Sequence, residues 1–302
     1  MELERIESSL RDGVRRAPRV DLGKALVRKA SRVVVGLMPR ARVPGVRISE
    51  VREGGARYRL YLPEERGGAG LVWVHGGGMV GGGPKQTDRL CAETARELGV
   101  VIASARYRFA PEHPFPAASD DCRAVWERVL VNARGWGVSP ERITVGGQSA
   151  GGGLAAGLVQ RVHDEGGVQP AGQWLVYPML DDRTAARGEL DAVGHFVWDN
   201  RANRFGWGAV LGVRPGADVV PEYAVPARRG DLTGLPPAWI GVGDVDLFHD
   251  EDVEYARRLR AAGVDVTLDV VPGAPHGFDG IAPDSPVTRD FLARARSWLG
   301  ER

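Results

Sequence analysis

The chain has 302 residues, of which 43% are hydrophobic and 26% charged, with 40 Lys and Arg against 39 Asp and Glu. That is the composition of an ordinary globular protein, long enough for one α/β core carrying insertions. A net charge of +1 gives no electrostatic reason to expect nucleic acid or an anionic membrane as partner, although a total is silent about local patches.

Residues 1–20, MELERIESSLRDGVRRAPRV, lack the apolar stretch of a signal peptide, and no segment reaches the roughly 20 apolar residues of a membrane span. A cytoplasmic location and no stable membrane insertion are therefore expected. The first 40 or so residues are Arg-rich and weakly helical, with Leu22, Leu26, Val33 and Leu37 at mixed helical spacing. Pro39 and Pro44 bracket a short linker. Segments 46–51 and 57–62 alternate apolar and polar around Glu53-Gly54-Gly55, which predicts a β-hairpin.

The pattern then changes. GLVWV at 70–74 is apolar without alternation, as in a strand buried on both faces. Helical spacing follows at 85–98, a buried strand at 100–105, a helix at 117–132, a strand at 142–146, a helix at 150–163 and a strand at 173–177. After an interruption over 180–237 come a strand at 238–242, a helix at about 251–262, a strand at 264–271 and a last helix at 287–299. Strands alternating with helices predict an α/β fold with a mostly parallel sheet covered on both faces. The interruption holds Trp198, Phe205, Trp207 and Tyr223, and an aromatic-rich insertion at the edge of such a sheet is expected to form a lid or binding wall. There are two cysteines, Cys91 and Cys122, which do not suggest a disulfide framework or a zinc site and read as small buried apolar groups on helices. No metal and no cofactor are expected.

Gly147-Gln148-Ser149-Ala150-Gly151 fits G-x-S-x-G, with a strand expected before it and a helix after it. A serine on so sharp a turn exposes its hydroxyl, and side chains two residues to either side would collide, hence the glycines. The following helix directs its N-terminus at the site, where developing negative charge is favoured. Ser149 is thus the candidate nucleophile. His75-Gly76-Gly77-Gly78 follows the 70–74 strand as a glycine-rich loop of the oxyanion-hole kind. The N–H groups of Gly77, Gly78 and Ala150 are the candidate donors, with His75 and Gly76 as loop support.

A base is expected in a loop late in the chain, which selects His276 in Pro272-Gly273-Ala274-Pro275-His276-Gly277-Phe278 over His75, His113, His163, His195 and His249. The acid is expected after the 238–242 strand. There Asp244, Asp246 and Asp250 compete, and the residues alone do not choose among them.

Four segments together carry a resemblance: His75-Gly76-Gly77-Gly78, Tyr107 to Ala118 (YRFAPEHPFPAA), Gly147 to Gly152 (GQSAGG), and His276-Gly277-Phe278. From about residue 70 onward the chain resembles the hormone-sensitive-lipase-like esterases, the bacterial lipolytic family IV of the α/β-hydrolase superfamily. The resemblance implies an α/β-hydrolase fold with an eight-stranded, mostly parallel sheet, and a helical cap built from residues 1–45 and an insertion at about 180–237 over a domain spanning 46–302. It implies a serine carboxylesterase acting on small, short-acyl esters through an acyl-enzyme. Asp246 is implied as the acid, because Asp246-Leu247-Phe248-His249-Asp250 stands where the family has Asp-Pro-Leu-x-Asp. The Tyr107–Ala118 stretch is expected to support the site. Two departures are Gln148, where the family usually has Asp, and Gly153, where it often has Asn. The expected partners are a small-molecule ester and, at most, a second copy in a homodimer. A small-molecule binder on the same fold, or an amidase, lactonase or dehydratase, is the alternative reading.

Overall fold

The computed structural model describes residues 1–18 and 20–302. Among them eight strands form one sheet: β1 (Val46–Glu53), β2 (Ala56–Pro63), β3 (Gly70–Val74), β4 (Val101–Ala105), β5 (Ile143–Gln148), β6 (Gln173–Val176), β7 (Ala238–Gly243) and β8 (Val266–Val271). Their order is β1-β2-β4-β3-β5-β6-β7-β8. β1 and β2 are the expected hairpin, turned by Gly54 and Gly55, both at positive φ, so that Glu53 pairs with Ala56. From β4 to β8 every pairing is parallel.

The unbroken apolar runs are the strands buried on both faces, since helices cover each side. One face packs Ala117–Asn132, Ala150–Glu165 and His249–Ala261; the other packs Asp88–Leu98 and Pro286–Gly300. Trp73, Trp174 and Trp239 come from three strands to this second face, with the Trp73 and Trp174 ring centroids 5.0 Å apart. Cys91 and Cys122 are buried free thiols on helices, and burial pushes both thiols up in pKa.

The register positions the site. Val74 pairs with Gly147, so the loops leaving β3 and β5 emerge side by side, at the point where the strand order reverses. Gly243 pairs with Val271, so the loops leaving β7 and β8 do the same two strands further on.

Some element bounds differ from the sequence expectation. The helix expected from 85 begins as a tight 3-10 turn, Pro84–Thr87, and the helix expected from 251 begins at His249. β8 begins at Val266, because the amide of Val264 is drawn back to the carbonyl of Leu259 as the preceding helix closes. Within 180–237 two helices form, Asp182–Ala186 and Asn200–Leu211, N-capped by the carboxylates of Asp181 and Asp199. The N-terminal stretch contributes Arg11–Arg16 and Ala25–Leu37. The second of these packs through arginines. Arg28 is buried and donates to the carbonyl of Leu22, whereas Leu26, Val33 and Leu37 face outward.

Candidate active site

Ser149 stands between the end of β5 and the helix Ala150–Glu165, with φ +57° and ψ −126°. This left-handed backbone is costly for a residue with a side chain, and here it is held from both sides. The Ser149 amide donates to Val176 and its carbonyl accepts from Met179, each at 2.9 Å. The flanking glycines are required by contact. A β-carbon at Gly147 would stand 2.2 Å from the carbonyl oxygen of Gly151, and one at Gly151 would stand 2.0 Å from that of Val74. Larger residues would push the turn off β3.

The loop after β3 passes close by, and a β-carbon at Gly76 would lie 3.2 Å from that of Ser149. Gly77 and Gly78 take φ +118° and +62°. Among the described residues, the N–H groups of Gly77, Gly78 and Ala150 donate to no other protein atom. His75 anchors this loop. Its Nδ1–H donates to the carbonyl of Gly76 at 2.8 Å, and its ring stacks on Tyr107 with centroids 4.4 Å apart. The Tyr107 hydroxyl in turn donates to the carbonyl of His75 at 2.9 Å. Burial holds the His75 pKa down at about 4, so the ring is neutral at pH 7.

His276 lies in the loop after β8 and faces Ser149. Its Nε2 is 2.8 Å from Ser149 Oγ and its Nδ1 is 2.8 Å from Asp246 Oδ2. The other oxygen of Asp246 accepts from the Phe248 amide at 2.9 Å. All three side chains are buried. The competing carboxylates are occupied elsewhere: Asp244 accepts from the Gly273 amide at 2.6 Å, while Asp250 binds His249 and Arg187. The remaining histidines do not join the three. His195 lines a cleft of about 890 Å³ beside Val14, Leu22, Phe196 and Phe205, between the N-terminal stretch and the insertion. Burial lowers its pKa.

Comparison with known proteins identifies the family. A family model described as the alpha/beta hydrolase fold matches residues 71–280. The chain belongs to the α/β-hydrolase family, in its hormone-sensitive-lipase-like branch. It is 38% identical to the carboxylic ester hydrolase LipN of Mycobacterium tuberculosis over 73% of its length, a match that spans 60% of LipN. It is 34% identical to an ethyl acetate hydrolase of Pseudomonas putida, over 73% of this chain and 70% of that one. Among solved structures it is similar to a bacterial heroin esterase, with 35% identity and a TM-score of 0.91, covering 99% of this chain and 98% of that one.

The two departures from the family pattern have structural counterparts. Gln148 donates from Nε2 to the Tyr177 hydroxyl at 2.5 Å, and that hydroxyl donates to Asp279 Oδ1. Tyr177 is buried edge-on to His276, with centroids 4.8 Å apart. Burial, and then the adjacent Asp279 carboxylate, raise its pKa well above the usual phenol value. At Gly153 a β-carbon would lie 2.1 Å from the Met179 carbonyl oxygen, so this helix packs too closely on the strand-end loop to carry Asn.

Sequence reasoning did not find Tyr177 or Asp279, whereas Trp198 was among the insertion aromatics expected to wall the site. The Trp198 indole reaches from the insertion to within 2.3 Å of where a β-carbon on Gly78 would stand. The Tyr107–Ala118 stretch supports the site as expected: Tyr107 holds the His75 loop, and Glu112 accepts from Arg32 at 2.9 Å. That ion pair lowers the Glu112 pKa to about 2.

Proposed function

We propose that the esterase activity of this chain runs through a covalent acyl-enzyme on Ser149, with His276 as general base and acid and Asp246 as its orienting carboxylate. The observation that carries the proposal is the pair of 2.8 Å contacts linking Ser149 Oγ, the His276 imidazole and Asp246. The Ser149 proton passes to His276 Nε2 as Oγ attacks the ester carbonyl. Asp246 holds Nδ1 protonated, which leaves Nε2 free to accept, and stabilises the imidazolium that forms. The tetrahedral oxyanion is received by the N–H groups of Gly77, Gly78 and Ala150, each such donor contributing roughly 10²–10³ in rate. His276 then protonates the leaving alcohol. Water activated by the same imidazole releases the acid.

Residues 1–45 and about 180–237 act as the cap, a reading supported by the cleft of about 890 Å³ lined from both. This cleft takes the alcohol portion. A second cavity of about 10 Å³ lies against the nucleophile helix, lined by Met79, His113, Phe115, Leu154, Val210 and Tyr223. Room for roughly one water-sized group supports a short acyl chain on that side, as does the likeness to an ethyl acetate hydrolase. The test is Ser149→Ala measured on p-nitrophenyl acetate, with fluorophosphonate labelling of the parent protein. Loss of both turnover and labelling in a folded variant is expected. Retained turnover refutes the assignment.

A further inference from the structure

Helix Ala25–Leu37 inverts the usual amphipathic arrangement. Its inward face carries Arg28, buried, and Arg32, whose guanidinium donates to the carbonyls of Val80 and Ala110 and to Glu112. Its outward face carries Leu26, Val33 and Leu37, which are 83%, 60% and 78% exposed. Spaced by seven and four residues, these three lie within one narrow arc of the helix, a continuous apolar stripe facing solvent. The chain segment that carries the stripe is rich in cations, and is bounded by Asp21, 3.9 Å from Lys24, and by Glu50. From Leu22 to Ser49 the basic residues are Lys24, Arg28, Lys29, Arg32, Arg40, Arg42 and Arg47, and there is no Asp or Glu, in a chain whose total is only +1. Lys29, Arg40, Arg42 and Arg47 are exposed. Arg40 and Arg42 border an open groove walled by Pro39, Val43 and Ile48 at the foot of the helix.

We infer that this helix is an interfacial docking element that seats the protein on an anionic lipid surface. An exposed apolar stripe flanked by cations matches such a surface, in which acyl chains lie beneath phosphate headgroups. A second copy would bring the same unbalanced positive charge to the contact, so charge complementarity favours lipid. Among the described residues no helix is long and apolar enough to cross a membrane, so the contact is a surface one. Arg32 ties the docked helix to Val80, two residues past the Gly77-Gly78 pair, and Leu22 and Lys24 line the large cleft. Docking would therefore turn that cleft toward the membrane.

The test is co-sedimentation of the full chain with vesicles of equal parts phosphatidylglycerol and phosphatidylcholine, against vesicles of phosphatidylcholine alone. Binding to the mixed vesicles only, weakened by high salt, is expected. Leu26→Ser/Val33→Ser/Leu37→Ser should abolish it while circular dichroism stays unchanged. Lys29→Ala/Arg40→Ala/Arg42→Ala should weaken it by on the order of a hundredfold, at roughly fivefold per cation. No binding by the parent protein, equal binding to both vesicle types, or binding indifferent to both variants would overturn the proposal. So would self-association of the parent that the serine variant alone abolishes, since the stripe would then be a contact between copies.

Discussion

Acidification is expected to destabilise this protein through His75, by an amount that follows from its burial. The ring is completely buried, and its Nε2 has no hydrogen-bond partner among the described residues, so a second proton has nowhere favourable to go. The imidazole of the unfolded chain titrates near 6.5 and the folded one at about 4. Between those values the unfolded state binds a proton that the folded state refuses, so stability falls as pH falls and levels off below the folded pKa. At roughly 1.4 kcal/mol per pH unit the whole window comes to about 3 kcal/mol, a large share of a typical domain stability of roughly 5–15 kcal/mol. Above the unfolded value His75 contributes no pH dependence. The assay is urea unfolding between about pH 7 and about pH 4.5, comparing the parent protein with His75→Asn, whose amide can still donate to Gly76 but does not titrate. The parent should lose about 2–3 kcal/mol more than the variant over that range. Parallel curves would refute the reasoning, because every other titrating group is common to both proteins.

Two further outcomes test the site. Asp246→Asn should lower kcat by roughly 10³–10⁴ with the fold intact, since the amide favours the wrong imidazole tautomer; Asp244→Asn, whose carboxylate accepts from the Gly273 amide, should stay close to the parent in the same steady-state assay. Tyr177→Phe removes the hydroxyl that joins Gln148, beside the nucleophile, to Asp279, three residues past the base. It should reduce kcat by about tenfold, the scale of one hydrogen bond, and leave KM nearly unchanged; an unaltered kcat would show that the link does not position the base.

The sheet was legible because burial on both faces leaves an unambiguous trace, as in GLVWV at β3 and AWIGV along β7. The proposed nucleophile, Ser149, was legible because its turn constrains five adjacent positions. The proposed orienting carboxylate, Asp246, was not legible from the residues alone. Asp244, Asp246 and Asp250 lie within seven positions of one another, and their roles depend on how the loop folds. The Asp246 amide bonds back to Gly243 and its side chain accepts from Phe248, a local turn that leaves one oxygen for His276. The insertion helices were hidden as well, since their caps, Asp181 and Asp199, resemble any other surface carboxylates until the helices exist. The orientation of Ala25–Leu37 ran against pattern, because the groups receiving Arg32 are carbonyls at Val80 and Ala110, far away in sequence.

What joins these cases is contact with backbone, which has no sequence signature of its own. Gly147 and Gly151 could be read because they belong to a recognisable motif, yet the same device recurs unmarked at the end of β7. A β-carbon at Gly243 would lie 1.8 Å from the carbonyl oxygen of Ala274. Without a side chain there, the loop bearing Asp246 closes on the loop bearing His276, two residues beyond that carbonyl. The serine side of the site is drawn together by glycine against Val74, and the acid–base side by glycine against Ala274. The 2.8 Å spacing on either side of the imidazole therefore rests on two backbone contacts, each of which any larger residue would prise apart.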